Sequence, residues 1–190
     1  MEYLHLFFQS VGNVVLHPTW HSAVILFITS GINEIFAMLP YSIVISSQIF
    51  FLKGEITLQL ASQILFLVAV PIGLGSALGT LPFYLISYWG GYRAINKYGK
   101  YLRFSWSDVE AMNEKLKGAW YDEVIFTLWH SIPLVPSLPA TILGGVVRMP
   151  FWKYFLLSFI GFVLRIVFNI ALFSIGFIQL SKFASLLYNG

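Results

Sequence analysis

The sequence predicts an all-α integral membrane protein, organised as an inverted repeat. Two re-entrant, broken helix pairs are each followed by a long transmembrane helix, and a cytoplasmic amphipathic helix lies between the halves. Three observations lead there. Only 10% of the 190 residues are charged and 58% are hydrophobic, against about 25% charged in ordinary soluble domains. The few charges avoid long stretches. Trp20 to Leu52 contains only His21 and Glu34, Ile56 to Tyr92 has no Asp, Glu, His, Lys or Arg, and Phe151 to Ser181 has only Lys153 and Arg165. Each stretch is long enough to enter or cross a hydrocarbon core, which takes about 20 apolar helical residues. Finally, prolines interrupt the apolar stretches at corresponding places in the two halves. The same composition excludes disorder and fibrous repeats. No basic run is long enough to track nucleic acid, and the absence of Cys excludes disulfides, thiolate metal sites and thiol catalysis.

One membrane domain, 1–190, accommodates these elements in order. Residues 1–18 form an N-terminal interfacial helix: Tyr3 to Leu16 is apolar but too short to span, Pro18 stops it, and Glu2 with no small-residue cleavage site argues against a signal peptide. Residues 19–92 form the first half, in which Pro40 divides the apolar stretch into about 20 residues and a shorter piece, Tyr41 to Leu52. The long helix that follows contains Gly75 and Gly79, a small-xxx-small pair suited to close helix packing. Residues 93–118 hold most of the charge. Ser107 to Glu110 reads as a capping box, and Val109, Met112 and Leu116 share one face of a surface helix. Residues 119–190 form the second half, broken by Pro133, Pro136 and Pro139. Short, interrupted apolar segments in corresponding halves are the mark of re-entrant helices in inverted-repeat transporters; the alternative is one kinked transmembrane helix in each place.

An internal echo supports duplication. Pro40-Tyr41-Ser42-Ile43 is similar to Pro139-Ala140-Thr141-Ile142, and each precedes a short apolar helix, a polar turn and a long apolar helix. If both broken pairs return to their own side, eight of the eleven basic residues (Arg93, Lys97, Lys100, Arg103, Lys115, Lys117, Arg148 and Lys153) share one face. The positive-inside rule makes that face cytoplasmic.

Glu34 and Arg165 do not fit a surface role. A carboxylate at the bilayer centre costs about 2.5–3.5 kcal/mol on insertion scales, so Glu34 is expected to face protein or water and is a candidate proton carrier. Its alternative role is to cap backbone donors freed near the break. Gly161, Arg165 and Asn169 are spaced by four and share a face. Arg165 is therefore expected to face the interior, either neutralising Glu34, holding an anionic head group, or making a structural contact. His130 stands just before the second break as a structural or ligand-facing histidine, and Arg148 as an interfacial residue or a head-group contact. Trp89, Tyr92, Tyr98 and Tyr101 fit an aromatic belt.

These residues resemble the DedA family, the SNARE-associated Golgi or VTT-domain membrane proteins. The resemblance rests on Tyr88-Trp89-Gly90-Gly91-Tyr92-Arg93, on Tyr98 to Arg103, on Ile132-Pro133-Leu134-Val135-Pro136, on Pro139-Ala140 with Gly144-Gly145, on Arg148-Met149-Pro150-Phe151-Trp152-Lys153-Tyr154, and on Ser158 to Gly161. Glu34 and Pro40 resemble the acidic residue and proline of the family's first re-entrant element. The resemblance runs from about Gly31 over most of the chain. It implies facing re-entrant helices and movement of a lipid or lipid-phosphate carrier by a flippase, scramblase or proton-coupled exporter. Three positions depart from the pattern. His130 and Pro136 stand where the family has arginines, and Ser42 where a second acidic residue is frequent.

The expected function is thus a DedA-like membrane transporter or scramblase in the plasma membrane. Its transport and binding residues would be Glu34, Arg165, His130, Asn169, Arg148 and Ser42, with helix packing at Gly75, Gly79 and Gly161. Its partners would be membrane lipids, an anionic lipid or a polyprenyl phosphate, with a homo-oligomer left open and no nucleic acid. No cofactor is implied beyond a coupled proton. A non-transporting membrane scaffold is the alternative. An intramembrane enzyme is not expected, since the sequence has no H-E-x-x-H, no G-x-S-x-G and no paired intramembrane Asp.

Overall fold

A computed structural model describes residues 18–36, 57–102, 105–107, 110–111, 122–133 and 135–188. The expected break at Pro40, Ser42 beside it, residues 1–17 of the expected interfacial helix, and the Val109–Met112–Leu116 face lie outside the described residues. The described chain forms α1 (Trp20–Phe36), α2 (Leu58–Ile64), a π-helical stretch (Leu65–Ala69), α3 (Val70–Leu102), α4 (Asp122–Ser131), α5 (Leu138–Val146) and α6 (Phe151–Tyr188). No strand occurs among the described residues. Two helical spans, Leu58–Arg93 and Phe151–Phe173, are long and apolar enough to cross a membrane.

The first span is a single rod made of α2, the π stretch and α3. Thr57 caps it, its backbone extended and its Oγ1 accepting from the Leu60 N–H at 3.2 Å. Pro71 gives the local reason for the π stretch. Its ring would press on the Leu67 carbonyl and it has no N–H to donate there, and the wider turn gives way at that point. The rod bends again at Gly91, whose φ of 46° and ψ of −131° leave the helical region, and helix then continues to Leu102. Residues 93–102, expected as the start of the surface segment, are therefore helical.

α1 and α3 run side by side with increasing residue number. Gly75 has no room for a side chain, because a Cβ there would strike the Phe27 carbonyl and Ser30 Oγ; one on Gly79 would strike the Gly31 carbonyl. Ser30 Oγ donates across this contact to the Ile72 carbonyl at 3.2 Å. α3 and α6 run in opposite senses, with Gly73 against Val163 and Tyr84 against Tyr154.

α4 and α5 are each too short to cross a bilayer, rising only about 15 Å and 14 Å at 1.5 Å per residue. α4 follows α6 in the same sense. Glu123 pairs with Lys153 at 2.6 Å, and further along His130 and Thr127 meet Gly161. After residues 132–137, α5 runs back. Val135 lies level with Arg165, and Gly144 touches the Tyr154 ring. α5 packs mainly on α3 and α4 on α6, so the two barely touch each other. Pro133 and Pro136 fall in the non-helical stretch, whereas Pro139 sits in the first turn of α5, where a missing N–H costs nothing.

Two apolar clusters hold the bundle. One contains Leu26, Ile64, Val68, Ala69, Ile72 and Ile166, and the other Tyr84, Phe126, Ala140 and Tyr154. In the second, Tyr84 and Tyr154 stack at 4.1 Å between centroids and Tyr84 Oη donates to the Met149 carbonyl at 2.5 Å. Outward faces are apolar, with Val24, Ile25, Ile28, Ile32 and Ile35 exposed on α1 and Trp152, Leu156, Ile160 and Phe168 on α6. Buried polar residues include Ser30, Thr80, His130, Thr141, Arg165 and Asn169.

α5 ends in a Schellman turn. Met149 N–H donates to the Gly144 carbonyl and Arg148 N–H to the Gly145 carbonyl, both at 3.0 Å. Arg148 occupies the left-handed position, φ 54°, that glycine normally takes. Replacing Arg148 with Gly is expected to raise stability by about 1 kcal/mol, and Arg148→Val to lower it by a similar amount or more. Thermal unfolding of the detergent-solubilised variants checks this; equal midpoints for Gly and Val would contradict the strain at this position.

Candidate functional site

The buried polar groups gather where the α4–α5 break meets α1, α3 and α6. Two prolines remove backbone donors from the break, and its carbonyls find partners among side chains. Trp129 Nε1 donates to the Pro136 carbonyl at 3.1 Å and Arg165 Nη2 to the Val135 carbonyl at 3.0 Å. Ser137 stands at the N-cap of α5 yet does not cap it. Its hydroxyl donates instead to Glu34 Oε2 at 2.7 Å, a residue 103 positions earlier.

Glu34 and Arg165 thus grip the same short segment from opposite elements, two residues apart. They form no direct ion pair, although each lies within the other's field. Arg165 is 8% exposed, with its guanidinium 5.3 Å over the Phe162 ring. A buried cation this enclosed needs the carbonyl, the ring and the nearby carboxylate together, since losing one partner of a buried charge is strongly destabilising. Gly79 brings Glu34 close to α3, a Cβ at that position lying 3.0 Å from the Glu34 Cβ.

His130 is fully buried at the end of α4. Its Nδ1 lies 3.0 Å from the Phe126 carbonyl. A carbonyl only accepts, so Nδ1 carries the hydrogen and Nε2 of the neutral ring presents a bare lone pair. Phe126 and Phe162 flank the ring, at 4.6 Å and 5.2 Å between centroids. Gly161 makes this approach possible, because a Cβ there would sit 2.5 Å from the His130 Cβ. Asn169, one turn beyond Arg165, is 2% exposed. Among the described residues four buried side-chain atoms have no hydrogen-bond partner: His130 Nε2, Ser158 Oγ, Arg165 Nε and Asn169 Nδ2.

Among the expected site residues, Glu34, His130 and Arg165 converge on this region, and Asn169 is buried one turn further along α6. Arg148 lies away from it, being exposed at the far end of α5. Ser42 is outside the described residues. Several contributors carried no signal of their own in the sequence. Ser137 reads locally as a helix cap, and only its contact with Glu34 gives it another role. Tyr154 Oη donates to Thr80 Oγ1 at 2.8 Å and lies 3.3 Å from Thr141 Oγ1, joining α3, α5 and α6. Thr80 in turn donates to the Ala77 carbonyl, so this hydroxyl chain ends on a pure acceptor and fastens helices rather than passing a proton onward. The neighbours His130 and Ser131 do not bond each other; Ser131 Oγ donates to the Leu128 carbonyl.

The chain matches no protein-family model, no curated protein and no solved structure. If Ser137 and Glu34 act as a unit, Ser137→Ala is expected to cost about 1–3 kcal/mol in the native protein but much less in a Glu34→Leu background. A double-mutant cycle on thermal or denaturant unfolding measures the difference, and additive losses would show the bond to be energetically idle.

Proposed function

We propose that the protein is a DedA-like membrane transporter or scramblase that moves a lipid or lipid-phosphate carrier. In this reading α4 and α5 are a re-entrant pair in the plasma membrane, entering and leaving on the side of Lys153 and Arg148. The return of α5 along α3 supports that, since Glu123 at the start of α4 and Met149 after α5 both lie by the first turns of α6. A duplicated architecture gains support from the helix crossings. In the first half, the Phe27 carbonyl and Ser30 close over Gly75; in the second, the Thr127 carbonyl and His130 close over Gly161. In each, the two contacting residues are three positions apart.

One observation carries the functional reading: a half-buried carboxylate and a buried guanidinium hold the same break without pairing directly. With Glu34 ionised, its charge offsets that of Arg165 and the centre is near neutral. Protonation of Glu34 leaves the centre with the positive charge of Arg165 alone, ready for an anion. An arriving phosphate oxygen competes with the Val135 carbonyl for Arg165 Nη2, since charge-assisted bonds to an anion are stronger than those to a neutral carbonyl. Binding would then release one of the two ties on the break. Loss of the proton from Glu34 restores the opposing charge and favours release of the anion. The outward apolar faces of α1 and α6 suit contact with lipid chains.

Glu34→Gln holds the side chain in its neutral shape. Proteoliposomes carrying this variant are expected to show lipid and lipid-phosphate movement reduced to the protein-free background, with the monodisperse elution profile retained. Undiminished flux would remove Glu34 from the mechanism, and no flux from the unaltered protein would favour a non-transporting scaffold.

A further inference from the structure

One backbone conformation at the end of α5 is not explained by any contact inside the chain. The turn that closes α5 calls for a left-handed residue, and Arg148 takes that place with φ 54°, the one non-glycine residue with positive φ among those described. Glycine adopts this conformation freely and arginine does not. Strain held at a single residue points to a use for its side chain. Within the chain that use is missing. Arg148 is exposed, and its guanidinium makes no hydrogen bond, ion pair or ring contact with a described residue. Lys153 nearby differs, with its ammonium 2.6 Å from Glu123 Oε1. The buried cation Arg165 has the Val135 carbonyl and the Phe162 ring.

The surroundings indicate what Arg148 meets. A Cβ on Gly145 would strike Ser87 and the Tyr88 backbone, and Tyr84 Oη bonds the Met149 carbonyl, so the end of α5 lies against the last turns of the first span. Arg148 therefore stands at the same end of the bundle as Trp89, Tyr92 and Trp152, which are 77%, 54% and 70% exposed. Exposed Trp and Tyr rings mark the depth at which hydrocarbon gives way to head groups. A guanidinium at that depth lies among lipid phosphates. Its planar fork matches two oxygens of one phosphate, which an ammonium cannot do.

We infer that Arg148 binds the phosphodiester head group of an anionic phospholipid resident at the corner between α5 and α6. This lipid stays in its leaflet and is not cargo. The site lies at the opposite end of α5 from the Glu34–Arg165 centre and is independent of the role proposed for that centre. In phosphatidylcholine the phosphate already faces its own tethered ammonium, whereas in phosphatidylglycerol it is free to face the guanidinium alone. The bound phosphate offsets the strain of the turn.

The experiment uses the full chain in nanodiscs of phosphatidylcholine, with or without phosphatidylglycerol. Native mass spectrometry reads retained lipid, and thermal unfolding reads stability. The unaltered protein is expected to prefer phosphatidylglycerol by about tenfold. Arg148→Gly is expected to lose that preference, and Arg148→Lys to keep part of it, since the charge remains but the fork is gone. Arg93→Gln removes another exposed charge at the same end and is expected to change the preference by no more than about twofold. In phosphatidylcholine Arg148→Gly is expected to unfold at a higher temperature than the unaltered protein, and phosphatidylglycerol to shrink or reverse that gap, because only the arginine gains from the lipid. An undiminished preference in Arg148→Gly would overturn the inference. Equal losses in Arg148→Gly and Arg93→Gln would overturn it too, by showing a general attraction between a basic surface and an anionic leaflet. So would a stability gap of the same size in both lipids. Unchanged elution and helical circular dichroism of each variant separate lost binding from lost fold.

Discussion

A buried guanidinium sets the terms for the rest of this structure. Arg165 lies among apolar helices, where an unpaired charge is untenable, and its partners come from three sources. The Val135 carbonyl is available because the chain is broken between α4 and α5. The Phe162 ring lies one turn away on the same helix, and Glu34 comes from α1. Removing the break would return the Val135 carbonyl to a helical ladder and leave the cation with less. The irregular backbone and the buried charge each make the other tolerable.

The packing follows from small residues at the crossings. Gly75 and Gly79 let α1 lie against α3, and Gly161 does the same for α4 on α6. At such crossings dispersion between tightly packed backbones and side chains contributes to the association. The stacked Tyr84–Tyr154 pair and the Tyr154–Thr80–Thr141 hydroxyls then join α3, α5 and α6 without adding charge.

Much of this was legible in the sequence. Charge scarcity marked the apolar spans, and Pro133 and Pro136 marked a break, because a residue without an N–H leaves a trace in any reading. Glu34 and Arg165 stood out because no other charged residue lies within ten positions of either. What stayed hidden depended on distance along the chain. Ser137 is an ordinary cap by its neighbours and becomes a partner of Glu34 only across 103 residues. Tyr154 sits in an aromatic-rich run, Phe151-Trp152-Lys153-Tyr154-Phe155, where composition cannot single out the one ring whose hydroxyl turns inward. Pro139 looked like part of the break and instead occupies the first turn of α5, since a proline there is as acceptable to a helix as one before it.

The π-helical stretch at Leu65–Ala69 has a consequence for how the long rod is read. A widened turn holds an extra residue within nearly the same rise, so side chains before and after it belong to different rotational frames. A helical wheel drawn continuously from Leu58 to Leu102 would place Leu60 and Ile64 wrongly relative to Gly75 and Gly79. Removing one residue from this stretch would let a regular α-helix run through it with the flanking side chains keeping their directions, whereas a deletion between Leu60 and Leu65 would turn Leu60 by about 100° relative to the glycine face.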